Sequence, residues 1–172
     1  LMLPLSTTAG CVTPFHDALF TATSAVCVTG LVVQDTGSYW SVFGQVVILT
    51  LIQIGGLGVV TVAASFALLS GRRISLMQRS TMQDAISAPR VGGIVRLTRF
   101  ILQGTFLIEL IGALAMLPVF CRDYGWRGIW MAVFHSISAF CNAGFDILGT
   151  NGNLYPSLTG YVQNPVINIT IM

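Results

Sequence analysis

The sequence predicts an all-α integral membrane protein made of repeated units, each a helix, a short re-entrant helix and a second helix. Of its 172 residues, 54% are hydrophobic and only 8% are charged, whereas soluble domains carry about 25% charged residues. Two stretches reach the roughly 20 apolar residues that a helix needs to cross a bilayer. One short phrase also occurs twice, 114 residues apart.

The two long apolar stretches predict membrane-spanning helices. The first lies within 36 uncharged residues and is placed at 39–69. The second is placed at 100–120 and contains one charged residue, Glu109. A charge inside a membrane is costly unless it is paired, and it marks a functional site by default. Because Glu109 lies on an outer helix of its unit, a structural hydrogen bond is favoured over an ion site.

Segment 71–99 is an arginine-rich loop. All eight basic residues of the chain are arginine, and six of them lie in this segment together with one acid, Asp84: Arg72, Arg73, Arg79, Arg90, Arg96 and Arg99. The positive-inside rule places such a loop in the cytoplasm. The net charge of +2 therefore arises from the arginines of this loop and does not indicate a nucleic-acid-binding surface.

Two shorter segments, 14–31 and 128–145, are predicted to enter the membrane and return to the outer side. The apolar runs here, 17 residues at 18–34 and 18 residues at 128–145, are at the lower limit for a full span. With 71–99 inside, a full span at 128–145 would carry the polar loop at 149–160 to the arginine side. A re-entrant helix explains the same length and keeps the polar loop at 149–160 on the outer side.

The two re-entrant segments are related by an internal repeat. Within 13 residues, where chance would supply about one identity, six residues recur, which indicates a duplicated unit. In transporters, repeated units meet at the permeation site. The matching residues are Ala18, Phe20, Ser24, Ala25, Cys27 and Gly30 with Ala132, Phe134, Ser138, Ala139, Cys141 and Gly144.

The end of the repeated phrase is suited to an ion filter. Irregular backbone at membrane depth is tolerated only where it is buried in protein or lines a water-filled path, and carbonyl oxygens can replace the hydration shell of a cation. Glycine permits the backbone angles that turn successive carbonyls toward one axis. The plainer alternatives are a glycine that caps a helix and small residues that pack between membrane helices; the duplication favours the filter. The candidate filter residues are Cys27, Val28, Thr29 and Gly30, and Cys141, Asn142, Ala143 and Gly144.

The stretches "FTATSAVCVTGLVVQDTGSYWSVFGQVVILTLIQIGGLGVVT" and "FHSISAFCNAGFDILG" resemble the Trk/Ktr/HKT superfamily of potassium transporters, and in particular its KtrB-type membrane subunits. The resemblance implies four potassium-channel-like units around one pore, of which this chain would hold about the first two. It also implies uptake of potassium across the plasma membrane by a multi-pass protein, without a cofactor and with sodium as a co-ion or activator. The family's filter glycines fall on Gly30 and Gly144. Sodium-selective plant members have serine at the first position, so Gly30 points to potassium.

The resemblance also implies partners and a division of the chain. KtrB-like subunits form homodimers on a cytoplasmic ring of nucleotide-binding regulatory subunits, and loop 71–99 lies on the side where such a ring would dock. The first repeat, 1–70, would hold the end of an outer helix, a pore loop at 14–31 and an inner helix at 39–69. The second repeat, 100–172, would hold an outer helix at 100–120, a pore loop at 128–145 and the start of an inner helix at 161–172. Both chain ends fall in apolar runs, which predicts a piece of a longer protein.

Two other functions stay open at this stage. One is a membrane enzyme that uses His16 or His135 as a base or ligand, and the other is a membrane scaffold that conducts no ion. The two histidines occupy non-equivalent positions of the repeat, which a paired ligand site would not favour. They are interpreted as residues at the starts of the outer-facing helices.

The cysteines and the glycines of the first span are the remaining features. The cysteines have no CxxC spacing and are interpreted as packing residues rather than a disulfide or metal site: Cys11, Cys27, Cys121 and Cys141. Three glycines interrupt the span at 39–69, either as close-packing residues or where a pore loop rests on the helix or the helix bends: Gly55, Gly56 and Gly58.

Overall fold

A computed structural model describes residues 1–58, 94–150 and 152–172, and within these ranges the chain is helical with no β-strand beyond two isolated bridges. The predicted all-α class is thereby confirmed for the described residues. Five α-helices are present in these ranges: α1 (Phe15–Val26), α2 (Val42–Leu57), α3 (Ile94–Tyr124), α4 (Arg127–Phe140) and α5 (Pro165–Ile171). Single 3-10 turns lie at Pro4–Ser6 and Thr159–Tyr161.

The chain divides into two compact units. One comprises Leu1–Gly56 together with Glu109–Met172, and it contains both copies of the repeated phrase. The other is Leu57–Ile108, of which the described residues form the last residue of α2 and the first half of α3. Most of the arginine-rich loop lies outside the described residues, including Arg72, Arg73, Arg79 and Arg90.

Helix α3 is longer than the predicted span at 100–120. Its portion Arg99–Tyr124, 26 residues, is long and apolar enough to cross a membrane. The helix begins at Ile94, so residues 94–99 are helical and not part of a loop as predicted. Arginine, leucine and isoleucine are compatible with a helix beyond the apolar stretch, so the charges mark the edge of the apolar stretch and not the helix end. At the other end, Gly125 adopts a φ of +59° and closes the helix.

Helix α2 is the described part of the predicted span at 39–69. It is apolar and 16 residues long, and it begins at Val42 instead of residue 39. Residues 59–69 of the predicted span lie outside the described residues.

The short helices α1 and α4 occupy the two predicted re-entrant segments. They have 12 and 14 residues, fewer than a bilayer-spanning helix needs. Asp17 lies in the first turn of α1, where the helix dipole favours a negative charge.

The buried core joins α2, α3 and α4. Its largest fully buried side chains include Ile48 and Ile52 of α2, Met116 and Phe120 of α3, and Phe134 of α4. The indole Nε1 of Trp130 donates to Gln45 Oε1 at 2.7 Å. This core therefore holds α4 against the helix that follows the first copy of the repeated phrase.

Candidate functional site

The loops that follow α1 and α4 have the same backbone path. Val28 and Asn142 both adopt a φ of 56°, and Gly30 and Gly144 both adopt a φ of 72°. All four angles lie in the left-handed region, which residues other than glycine adopt infrequently. The sequence repeat is thus accompanied by a repeat of an uncommon conformation.

The same pair of hydrogen bonds closes both short helices. In the first copy, the Thr29 N–H donates to the Ser24 carbonyl at 3.0 Å and the Val28 N–H donates to the Ala25 carbonyl at 3.3 Å. In the second copy, the Ala143 N–H donates to Ser138 at 2.7 Å and the Asn142 N–H donates to Ala139 at 2.9 Å. This is the Schellman arrangement, which requires a left-handed residue just beyond the helix.

The left-handed residue of the first Schellman arrangement is strained. Glycine commonly occupies this position, and asparagine does so less often. Asn142 follows that preference, whereas Val28 is β-branched, and a β-branched residue at positive φ is an outlier. Such strain tends to occur at functional sites, where the surrounding structure enforces it.

One serine in each copy fastens the loop to its helix. Ser24 Oγ donates to the Leu31 carbonyl at 2.7 Å, and Ser138 Oγ donates to the Phe145 carbonyl at 2.7 Å. In both cases the acceptor follows the filter glycine by one residue. Sequence reasoning noted the serine identity but missed this role, because the two partners are seven residues apart in an irregular segment.

The two candidate filter glycines lie side by side. A Cβ placed on Gly30 would lie 2.6 Å from the Ala143 carbonyl oxygen and 3.3 Å from Gly144 Cα. A Cβ placed on Gly144 would lie 3.6 Å from Gly30 Cα. The structure therefore brings together the backbones of both predicted filter segments at their glycines. In general, backbone carbonyl oxygens of such segments can act as ligands to a dehydrated cation.

The side chains of the two loops differ. Thr29 is exposed and its Oγ1 lies 2.8 Å from Ser24 Oγ, whereas the equivalent Ala143 is buried. Cys27 is exposed, whereas Cys141 is half-buried with its Sγ 3.8 Å from Gln53 Oε1. The two walls are thus alike in backbone and unlike in side-chain packing.

All four cysteines are free thiols. The interpretation of all four as packing residues is wrong for Cys11 and Cys27, which are exposed. Cys11 lies in an irregular segment before α1, and Cys27 directly follows the last residue of α1. Among the described residues, no group of three His, Cys, Asp or Glu side chains could hold a metal ion.

Two glycines of α2 provide contact surfaces for the two loops. A Cβ on Gly55 would overlap the Val26 carbonyl at the end of α1, and a Cβ on Gly56 would lie 2.5 Å from Cys141 Sγ. Gly58 has a φ of 79° and directly follows the end of α2. Of the alternatives left open for these glycines, the structure favours a loop resting on the helix at Gly55 and Gly56.

Glu109 is paired inside the protein. It is 5% exposed, and Gln53 Nε2 donates to its Oε1 at 2.8 Å. Ser136 Oγ donates to the backbone carbonyl of the same residue at 2.6 Å. These bonds connect α3 to α2 and α4, which agrees with the structural hydrogen bond favoured for this residue.

The two histidines have different environments. His16 lies near the start of α1 with an 82% exposed side chain, 3.1 Å from the Asp17 carboxylate. His135 is buried in the second half of α4, where its Nδ1 lies 2.7 Å from the Met131 carbonyl and its ring stacks on Phe120. The prediction of a helix-start position is therefore wrong for His135. Its imidazole packs between aromatic rings, a place that a histidine can fill as a flat, mostly apolar side chain.

An acidic side chain follows the second loop. Asp146 lines a cavity of about 240 Å³ together with His135, Asn142 and Gly144. Burial raises the pKa of the Asp146 carboxyl, and the nearby charge of Asp35 adds to this effect, whereas hydrogen bonds from the Leu148 and Ser157 backbones oppose it. The protonated form of this carboxyl is therefore favoured relative to an exposed aspartate.

Comparisons with known proteins find sequence similarity to proteins named for ion transport and uptake. A family model described as a cation transport protein matches residues 3–172. The potassium/sodium uptake protein NtpJ of Enterococcus hirae is 45% identical over 150 residues, which cover 87% of this chain and 33% of that protein. The Ktr system potassium uptake protein B of Bacillus subtilis is 44% identical over 172 residues, covering 99% of this chain and 37% of that protein. Its namesake in Vibrio alginolyticus is 37% identical over 172 residues, covering 99% and 36%. The chain thus spans about a third of the length of these relatives.

Proposed function

The chain belongs to the TrkH family of cation transport proteins, and from this premise we propose that it is part of a membrane subunit that conducts potassium into the cell through a carbonyl-lined filter. Its relatives are named as ion uptake proteins, which excludes the alternative of a membrane enzyme based on His16 or His135. The relatives named as parts of the Ktr system indicate a membrane subunit of a multi-component transporter.

The observation that carries the proposal is the contact between two identical, uncommon backbone conformations. Gly30 and Gly144 share a φ of 72° and lie side by side. Two loops that served only to cap their helices would have no reason to meet at their glycines. Loops that line one ion path would meet there, because ion ligands must converge on a point.

In this proposal the backbone carbonyls of both loops coordinate the ion. The coordinating segments are Cys27, Val28, Thr29 and Gly30, and Cys141, Asn142, Ala143 and Gly144. Potassium is the transported ion and sodium is a co-ion or activator; the name of the Enterococcus relative supports a role for both ions. The unlike packing of Thr29 and Ala143 gives the filter unequal walls.

The proposed architecture extends the local repeat to whole units. Each unit consists of an outer helix, a pore loop and an inner helix, and the filter loops face the outside of the plasma membrane. The pore loops are 14–31 and 128–145, and the first unit's inner helix includes α2, Val42–Leu57. The coverage of the relatives supports a complete protein that contains further units of this kind.

The arginine-rich segment at 71–99 is proposed to lie in the cytoplasm and to dock the subunit on a ring of nucleotide-binding regulatory subunits, with two copies of the complete protein forming a homodimer. The supporting feature is six arginines against one acid in this segment. In the complete protein, Arg79→Gln with Arg90→Gln should weaken co-purification of the ring. Unchanged co-purification and unchanged nucleotide-dependent flux would make the loop only a topological anchor.

Ion uptake by the complete protein tests the proposed function. Expressed in bacteria that lack potassium import, the parent should restore growth at low potassium and take up potassium faster than sodium. Gly144→Ser should reduce this discrimination, because the hydroxymethyl group strains the loop and adds a ligand. Gly152→Ser is the matched control, since nothing lies within 4 Å of a Cβ at Gly152. A parent that folds in the membrane but takes up no potassium would favour the non-conducting scaffold.

A further inference from the structure

We infer that Asp35 is a positioning residue that sets the spacing of the two filter loops by joining the segment after the first loop to the outer loop of the second repeat. This inference rests on the proposed function. It concerns the segments that follow Gly30 and Gly144, which are not among the proposed ion-coordinating residues.

The carboxylate of Asp35 is buried and fully engaged. The residue is 4% exposed. Its Oδ2 accepts from the Ser38 backbone N–H at 2.8 Å and from Ser38 Oγ at 2.7 Å. Its Oδ1 accepts from the Tyr155 backbone N–H at 2.9 Å, a partner 120 residues away. One carboxylate therefore holds its own turn with one oxygen and the second repeat with the other.

A second hydrogen bond runs between the same two segments. The Tyr155 hydroxyl donates to the Val33 carbonyl at 3.1 Å. Tyr155 thus contacts the segment after the first filter loop with both its backbone and its side chain. Two bonds fix the orientation of this segment as well as its distance, because a single bond would leave it free to pivot.

The backbone around Asp35 is closely packed. Gly149 occupies the position of the repeat equivalent to Asp35, and a Cβ on Gly149 would overlap the Asp35 carboxylate. A Cβ on Gly37 would lie 2.6 Å from the Gly149 nitrogen and 2.8 Å from the Ile147 carbonyl oxygen. The two segments therefore pack backbone against backbone, and the Asp35 carboxylate fills the space beside Gly149, which has no side chain.

This contact affects the filter through the short irregular segment at 31–35. Ser24 Oγ holds the Leu31 carbonyl at one end of the segment, and the bonds of Val33 and Asp35 to Tyr155 hold the other end. Gly30 directly precedes this segment and touches Gly144. If the Asp35 contact is lost, the segment can shift sideways and the gap between the two carbonyl sets widens. A wider gap fits potassium less specifically.

Asp35→Asn in the complete protein isolates the contact between the repeats. The asparagine Oδ1 can still accept from Ser38 and keep the local turn, whereas its NH2 group would face the Tyr155 N–H, and two donors cannot bond. We expect a roughly tenfold fall in the ratio of potassium to sodium uptake in proteoliposomes, equivalent to about 1.4 kcal/mol of lost discrimination. Total protein yield and the elution volume should match the parent.

Asp123→Asn is the matched control. Asp123 also accepts a hydrogen bond from a tyrosine, the Tyr161 hydroxyl at 2.7 Å, but it lies at the exposed end of α3. It receives the same change of acid to amide and should keep the parent's uptake ratio. If Asp123→Asn lowers the ratio as far as Asp35→Asn, the inference is wrong.

Tyr155→Phe decides the outcome if Asp35→Asn does not fold. It removes only the bond to the Val33 carbonyl and should lower the uptake ratio by about threefold, since a neutral hydrogen bond is weaker than a charged one. An unchanged ratio in the folded Asp35→Asn protein, or in Tyr155→Phe where Asp35→Asn is not recovered, overturns the inference. Failure of the parent itself to take up potassium would instead refute the proposed function.

Discussion

Alanine at Gly30 is expected to cost more than alanine at Gly144, although the two positions share one backbone conformation. Both have a φ of 72°, and a left-handed conformation costs a residue with a Cβ about 1–2 kcal/mol. The available space differs between them. A Cβ at Gly30 would lie 2.6 Å from the Ala143 carbonyl oxygen, whereas the nearest atom to a Cβ at Gly144 is 3.6 Å away.

The overlap at Gly30 can be relieved only by moving backbone. A carbonyl oxygen cannot rotate aside as the end of a flexible side chain can, so the second loop must shift. Overpacking of this kind costs about 1–3 kcal/mol. We therefore expect Gly30→Ala to lower the free energy of unfolding by about 2–5 kcal/mol and Gly144→Ala by about 1–2 kcal/mol.

Thermal unfolding of the complete purified protein in detergent measures this difference, with Gly152→Ala as the control that should match the parent. Gly30→Ala should show the lower midpoint and also the lower ratio of potassium to sodium uptake. Equal losses at the two glycines, or a larger loss at Gly144, would refute the reasoning, because backbone conformation alone would then set the cost.

Three further changes test the hydrogen bonds, strain and burial of the loops, each by the unfolding midpoint of the complete protein. Ser138→Ala removes the donor to the buried Phe145 carbonyl and should destabilise by about 1–3 kcal/mol; an unchanged midpoint would mean that the bond is dispensable. Val28→Asn puts the second repeat's residue at a strained position and should stabilise by about 1 kcal/mol, and a lower midpoint would contradict the strain. The folded-state pKa of Asp146 is raised, chiefly by burial, so its destabilising effect is absent below the unfolded pKa and grows as pH rises through the folded one. Asp146→Asn should therefore flatten the fall in midpoint with rising pH in the acidic range, and parallel pH curves would count against this interpretation.

The short helices and the meeting of the two glycines were within reach of the sequence. Apolar runs of 17 and 18 residues lie at the lower limit for a full span, and the helices α1 and α4 are shorter still, with 12 and 14 residues. A repeat in register predicts equivalent placement of Gly30 and Gly144. The length of an apolar run, the glycine near its end and the repeated phrase can be read directly from the sequence, because none of them depends on a contact in the folded protein.

The strained residue and the serine bonds were not predictable. Glycine is the residue type that indicates a left-handed conformation, so the sequence points to Gly30. The Schellman arrangement also places Val28 at positive φ, which its residue type does not indicate. The acceptor of Ser24 is a backbone carbonyl, and every residue has one, so the serine alone does not identify its partner. Charge was misleading at α3, because Arg99 marks the edge of the apolar stretch and the helix begins earlier, at Ile94.

Helix α2 contacts both loops through neighbouring residues, Gly55 with the end of α1 and Gly56 with Cys141. A one-residue insertion or deletion earlier in this helix would rotate both glycines by about 100° and remove both contact surfaces together. The two repeats therefore do not evolve independently at α2. A substitution that moves this helix away from one loop also changes its contact with the other, so Gly55 and Gly56 should vary together among related sequences.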